Sequence, residues 1–129
     1  MRVIVAAALA LILCYTVSSA ESTPEAVFAA YKSALQKGDR EAYLVLLTVE
    51  SRAIVNPSPA LMQREYADIK NLHPYIQIAA FDKAIVSFVP SNSKIPPYVL
   101  KKESGQWKVD LKTMSKEYVF NSKNEWYKK

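Results

Sequence analysis

The sequence predicts an α+β domain with three N-terminal helices on the concave face of a four-stranded antiparallel sheet. Two observations carry that expectation. Apolar residues recur at helical spacing up to Leu72 and at a period of two after Pro74. In addition, Gln106 to Lys112 alternates strictly, with Trp107, Val109 and Leu111 on one side and Lys108, Asp110 and Lys112 on the other. A period of two describes a strand with one buried face. Ser104-Gly105 ahead of it reads as a two-residue hairpin turn, because glycine accepts positive φ without a Cβ clash. Tyr98 to Lys102 is then the antiparallel partner.

The chain has 129 residues, enough for one domain. Met1 to Ala20 reads as a secretory signal peptide. Arg2 gives a positive start, Val3 to Leu13 is an unbroken apolar run, and Ser18-Ser19-Ala20 supplies small residues for cleavage. The run is too short for a membrane span. Residues 21–129 then form a single domain with a C-terminal tail from about 113. Cys14 is the only cysteine, so a chain cut after Ala20 has no thiol, disulfide or cysteine metal site. Leu11-Ile12-Leu13-Cys14 also resembles a lipoprotein signal, although Leu13 is large where that signal wants a small residue.

Thr23-Pro24-Glu25 opens the first helix as cap, first-turn proline and dipole-matched acid. Phe28, Tyr31 and Leu35 form its apolar stripe, widened by Val27 and Ala34, and Gly38 ends it. Asp39 caps a second helix from Arg40 to about Leu47, apolar nearly all round and so expected to be buried on most sides. Thr48 to Val55 reads two ways, as a continuation or as a break at Thr48. Asn56-Pro57-Ser58-Pro59 interrupts any helix. Ser58 caps the third helix, whose apolar face is Met62, Tyr66, Ile69 and Leu72 or His73, and Pro74 stops it.

Tyr75 to Phe81 and Ala84 to Val89 are the first two strands, joined at Asp82-Lys83. Pro90 to Pro97 is a loop whose Pro96-Pro97 leads into the next strand in an extended conformation. The inward residues of the sheet are expected to be Ile76, Ile78, Ala80, Val86, Phe88, Leu100, Trp107, Val109 and Leu111. In the tail, Met114, Tyr118 and Val119 can seat a short helix, and Phe120, Trp126 and Tyr127 predict partial docking. A frayed end after Asn121 is the plainer reading.

Thr23-Pro24-Glu25-Ala26-Val27, Lys37-Gly38-Asp39-Arg40-Glu41-Ala42 and Gly105-Gln106-Trp107-Lys108-Val109 together resemble small exported members of the nuclear transport factor 2-like superfamily. The similarity spans most of Thr23 to Leu111, and its motifs are structural. It implies a cystatin-like cone, in which a curved sheet wraps a long helix and often leaves a pocket at the open end. The superfamily holds ketosteroid isomerase and SnoaL-like cyclases and dehydratases, and also many non-catalytic binding domains.

Chemistry is sparse. Two glycines exclude a glycine-rich phosphate loop. His73 is the only histidine, placed against Pro74 as a capping or surface residue, and it offers no histidine metal triad. Neither a metal site nor a cofactor is expected, and no catalytic residue is assigned. The family's enzymes use an Asp or His base facing tyrosines or other acids. Here the expected inward residues include no ionisable group. Asp82 lies in a turn, Asp110 opposite Trp107, and Glu65 and Asp68 flank Tyr66 on the solvated side of the third helix. Aromatics are the better lead. Tyr31, Tyr43, Tyr66, Tyr75, Tyr98 and Trp107 can converge at the wide end of a cone, and Tyr31, Tyr66, Tyr98 and Trp107 are the candidate ligand-binding residues. The bland alternative is core packing.

Charge is uneven. Residues 21–100 carry eight basic and eight acidic residues, whereas residues 101–129 carry eight lysines and four acids. Such a face suits an anionic partner or membrane surface, or serves only to keep a sheet soluble. Nucleic acid is not expected, because export separates the two and arginine is scarce. The resulting expectation is a periplasmic or secreted, non-catalytic binding or interaction domain. It would take a small apolar ligand or an envelope protein. Lipid anchoring at Cys14 and a homodimer are compatible forms. The alternative is a small isomerase, dehydratase or hydrolase of the ketosteroid-isomerase type.

Overall fold

A computed structural model describes residues 22–129. The signal peptide expected at Met1 to Ala20 and the alternative at Cys14 lie outside the described residues. The fold is α+β, with helices preceding a four-stranded antiparallel sheet in the order β1-β2-β3-β4.

Helix α1 (Pro24–Lys37) starts at Thr23, whose side chain accepts from the Ala26 N–H at 3.1 Å. Gly38 ends it in the left-handed region at φ 64°, and the Asp39 N–H returns to the Ala34 carbonyl. Glycine is required here for a second reason: a Cβ on Gly38 would lie 2.9 Å from the Pro59 Cβ. The end of α1 thus touches the start of α4, and those two elements pack along each other.

Asp39 caps α2 (Arg40–Val45), which is shorter than the expected Arg40–Leu47 helix. Leu47 leaves it to form a parallel bridge with Val109, flanked by Val109 N–H to Leu46 O and Thr48 N–H to Val109 O bonds of 2.7 and 3.0 Å. Backbone pairing with the sheet takes the groups that another helical turn would use. Thr48 then caps α3 (Val49–Ile54), with the Glu103 carboxylate also accepting from the Val49 N–H. Four helices therefore precede the sheet, not three, and Thr48 is a break. Nor is α2 buried all round: Tyr43 and Leu47 are in the core, whereas Val45 is exposed. Helix α4 (Pro59–Ile69) begins at Ser58 and buries Met62 and Ile69. It ends before His73, which opens β1 and is exposed rather than capping a helix.

Strands β1 (His73–Ala80), β2 (Lys83–Val89), β3 (Tyr98–Glu103) and β4 (Gln106–Val109) form a meander. Ser104 and Gly105 both have positive φ in the β3–β4 turn. Register places Val86 opposite Tyr98 and Leu100 opposite Val109. These residues, with Ala84, Phe88 and Trp107, bury one face of the sheet against Val27, Phe28, Tyr31, Ala34 and Leu35 of α1. Edge strand β1 is the exception. Ile76 is half-buried, but Ile78 is 61% exposed and Ala80 is exposed.

The last strand stops at Val109, two residues short of the alternating pattern's apolar limit at Leu111. Asp110 turns instead into a helix cap, accepting from the Thr113 N–H and hydroxyl at 3.0 and 2.6 Å. Leu111 accordingly opens helix α5 (Leu111–Glu117), which crosses the outer face of β3 over the buried Val99. The chain ends in a hairpin, β5 (Tyr118–Phe120) and β6 (Trp126–Lys128). It is fastened to the β2–β3 loop by the Trp126 indole N–H donating to the Asn92 carbonyl at 2.9 Å.

Candidate functional site

Glu65 is the polar centre of the helical layer. On α4 it lies three residues after buried Met62 and four before buried Ile69. That spacing turns Glu65 toward α1 rather than toward water. The Gly38–Pro59 approach fixes where α4 begins, and so where this side chain arrives. Tyr31 of α1 and Tyr98 of β3 both donate their phenolic O–H to Oε2 of Glu65, each at 2.6 Å. Their rings stand edge to face, with centroids 5.6 Å apart. Tyr43 of α2 stacks at a tilt beside Tyr31 at 5.4 Å. Three helices and the sheet thus converge on one carboxyl group.

Oε2 is saturated by the two phenols, while Oε1 receives no hydrogen bond from the described residues. No side-chain oxygen or nitrogen among them is buried without a partner, so Oε1 keeps access to open space. Glu65 also lines a cleft of about 210 Å³ together with Tyr43, Val55, Asn56, Pro57, Leu61 and Met62. Its walls are mainly apolar, its floor acidic.

Burial is the main influence on the Glu65 carboxyl and raises its pKa above the ordinary value, with Asp68 adding to the rise. The two phenolic hydrogen bonds oppose it. Burial also raises Tyr31 and Tyr98 well above the usual phenol value, with Glu65 contributing, and pushes Tyr43 up to about 12. All three phenols are therefore protonated donors near neutral pH. The single ion pair among the described residues joins Lys83 to Glu117, so no cationic side chain neutralises Glu65.

Of the four candidate tyrosine and tryptophan residues, Tyr31 and Tyr98 come together on Glu65. Tyr66 lines a separate groove of about 420 Å³ with Phe28, Pro74 and Ile76. Trp107 is packed in the core at 6% exposure, its backbone N–H donating to the Ser22 hydroxyl and the Lys102 ammonium 5.5 Å from its ring centre. Glu65, expected on the solvated side of its helix, instead turns its carboxyl onto the buried phenols of Tyr31 and Tyr98. The signal was its spacing from Met62 and Ile69, outweighed by the general exposure of glutamates. Asp110, set opposite Trp107, is likewise buried, but as the α5 cap.

Among the described residues no helix is long and apolar enough to cross a membrane. Comparisons with protein-family models, with curated proteins and with solved structures return no match.

Proposed function

We propose that this chain is an exported, non-catalytic ligand-binding domain whose site is the cleft at Glu65. One observation carries the reading: a carboxyl group that lines a mostly apolar cleft is held through Oε2 by two buried phenols, while Oε1 accepts no hydrogen bond from the described residues. Ligand sites combine mostly apolar walls with a few oriented polar groups, and this arrangement has that form. A purely structural tie between α1, α4 and β3 would need neither the cleft nor the spare oxygen. The resemblance to the nuclear transport factor 2-like superfamily supports the same reading, since its cones often bind small molecules at the open end.

The experiment is mass spectrometry of small molecules that co-purify with the natively exported protein. A compound retained by the wild type and by Ala29→Trp, which fills the Tyr66 groove, but lost from Leu61→Trp, which fills the Glu65 cleft, establishes the site. Equal retention by Leu61→Trp contradicts it.

A second reading has its own support. A carboxyl raised by burial and flanked by tyrosines is the arrangement that a proton-transfer isomerase or dehydratase uses. In that reading Glu65 is the base, and Glu65→Gln abolishes turnover while leaving ligand retention intact.

A further inference from the structure

We propose that the cleft at Glu65 takes a small primary amine carried on an apolar body, with the ammonium on Oε1. The inference rests on the binding reading above and names the chemical class of its ligand.

Charge supplies the first argument. A carboxylate withdrawn from water is ordinarily matched by a cation, because the ion otherwise loses solvation without compensation. Glu65 is withdrawn, yet no lysine or arginine among the described residues pairs with it. Tyr31 and Tyr98 supply hydrogen bonds to Oε2 but no positive charge. Oε1 remains an acceptor without a donor among the described residues, on a side chain that lines the cleft. A ligand ammonium brings both the missing charge and the missing donor.

Hydrogen-bond direction supplies the second argument. Both phenols give their only proton to Oε2, which suits the ionised carboxylate. An anionic ligand would meet the carboxylate with repulsion at Oε1. A neutral hydroxyl could donate to it but would not compensate its charge.

Shape supplies the third. Val55, Pro57, Leu61 and Met62 offer an apolar wall, and Tyr43 lines the same cleft. A cation beside an aromatic face gains further attraction. At about 210 Å³ the cleft has room for a single ring with a short arm, since a cavity of about 150 Å³ holds benzene.

The test is calorimetric titration of the full exported chain with benzylamine, benzyl alcohol and benzoate at neutral pH. Benzylamine is expected to bind about tenfold or more tightly than benzyl alcohol, the ratio a charge-assisted contact supplies, and benzoate least. Glu65→Gln, which keeps an acceptor for the phenols, is expected to erase the preference for the amine. Leu61→Trp, which leaves Glu65 intact, is expected to weaken all three probes. Benzyl alcohol or benzoate binding as well as benzylamine overturns the amine assignment and leaves the ligand site standing. Unchanged benzylamine affinity in Glu65→Gln overturns it as well. Failure of all three probes to bind the wild type overturns both the assignment and the site.

Discussion

Tyr31 and Tyr98, from the first helix and the third strand, donate to the same oxygen of Glu65 at equal distances of 2.6 Å. The relationship locks a helix of the outer layer to the buried core through one atom. It also decides which oxygen of Glu65 remains available for anything else. Removing one phenol leaves the carboxylate with half of its internal solvation. Tyr31→Phe and Tyr98→Phe should each cost about 1.5–3 kcal/mol, the range for a hydrogen bond to a charged group. Because the two bonds share an acceptor, the double mutant should not equal the sum of the singles. Urea unfolding of all three variants measures this, and additivity within experimental error would mean that the bonds are independent.

Stability should also carry a pH signature of Glu65. Its carboxyl is raised in the folded protein, chiefly by burial, so the native state holds this proton to higher pH than the unfolded chain does. Its contribution is therefore most favourable below the unfolded value and is lost as pH rises through the folded one. Glu65→Gln removes that dependence. The stability of Glu65→Gln relative to wild type should rise with pH across this window and then level off. The groups facing Glu65 across the site are Tyr31, Tyr43, Tyr98 and Asp68. The three phenols are raised and do not titrate there, so Asp68→Asn is the control that must leave the trend in place.

Gly38 and Gly105 both have positive φ, at 64° and 76°, but only Gly38 faces a neighbour. Gly105→Ala should cost only the backbone penalty of about 1–2 kcal/mol. Gly38→Ala adds a contact with Pro59 that must be relieved by shifting α1 against α4, and it should cost measurably more. Thermal unfolding of the pair separates conformational strain from packing. Equal losses would show that the α1–α4 contact is slack.

Trp107 belongs to the core, and Trp126 clips the final hairpin to the β2–β3 loop. Trp107→Ala should cost about 3–5 kcal/mol from lost transfer energy and cavity formation, a large fraction of the about 5–15 kcal/mol available to a domain. Trp126→Ala should cost clearly less and loosen only β5 and β6. Hydrogen exchange of the hairpin amides checks the second part, because a local role leaves core protection unchanged.

Features with local causes were legible in the sequence. Thr23, Asp39 and Ser58 cap helices as their side chains predict, and Ser104-Gly105 turns the hairpin. The antiparallel meander followed from the change of period at Pro74. What escaped depends on partners distant in the chain. Leu47 leaves its helix because Val109 offers it a bridge, which no property of residues 40–47 reveals. The alternation through Leu111 is real, but the Asp110 cap to Thr113 outcompetes a longer strand. Ile78 has strand character, yet it lies 61% exposed on the edge strand, because alternation marks a strand and not what covers it. In the site, Tyr31 and Tyr98 were named for their aromatic character alone. Glu65, which joins them, is signalled only by its spacing from Met62 and Ile69, and the general exposure of glutamates masks that signal.

The most direct test of the account is carboxyl-carbon NMR titration of Glu65 in the folded chain, with and without benzylamine. The account predicts a free-state midpoint above the ordinary glutamate value, because burial penalises the anion, and a downward move when the amine supplies a cation. A midpoint at the ordinary value, unmoved by saturating benzylamine, would place Glu65 in water and contradict the site.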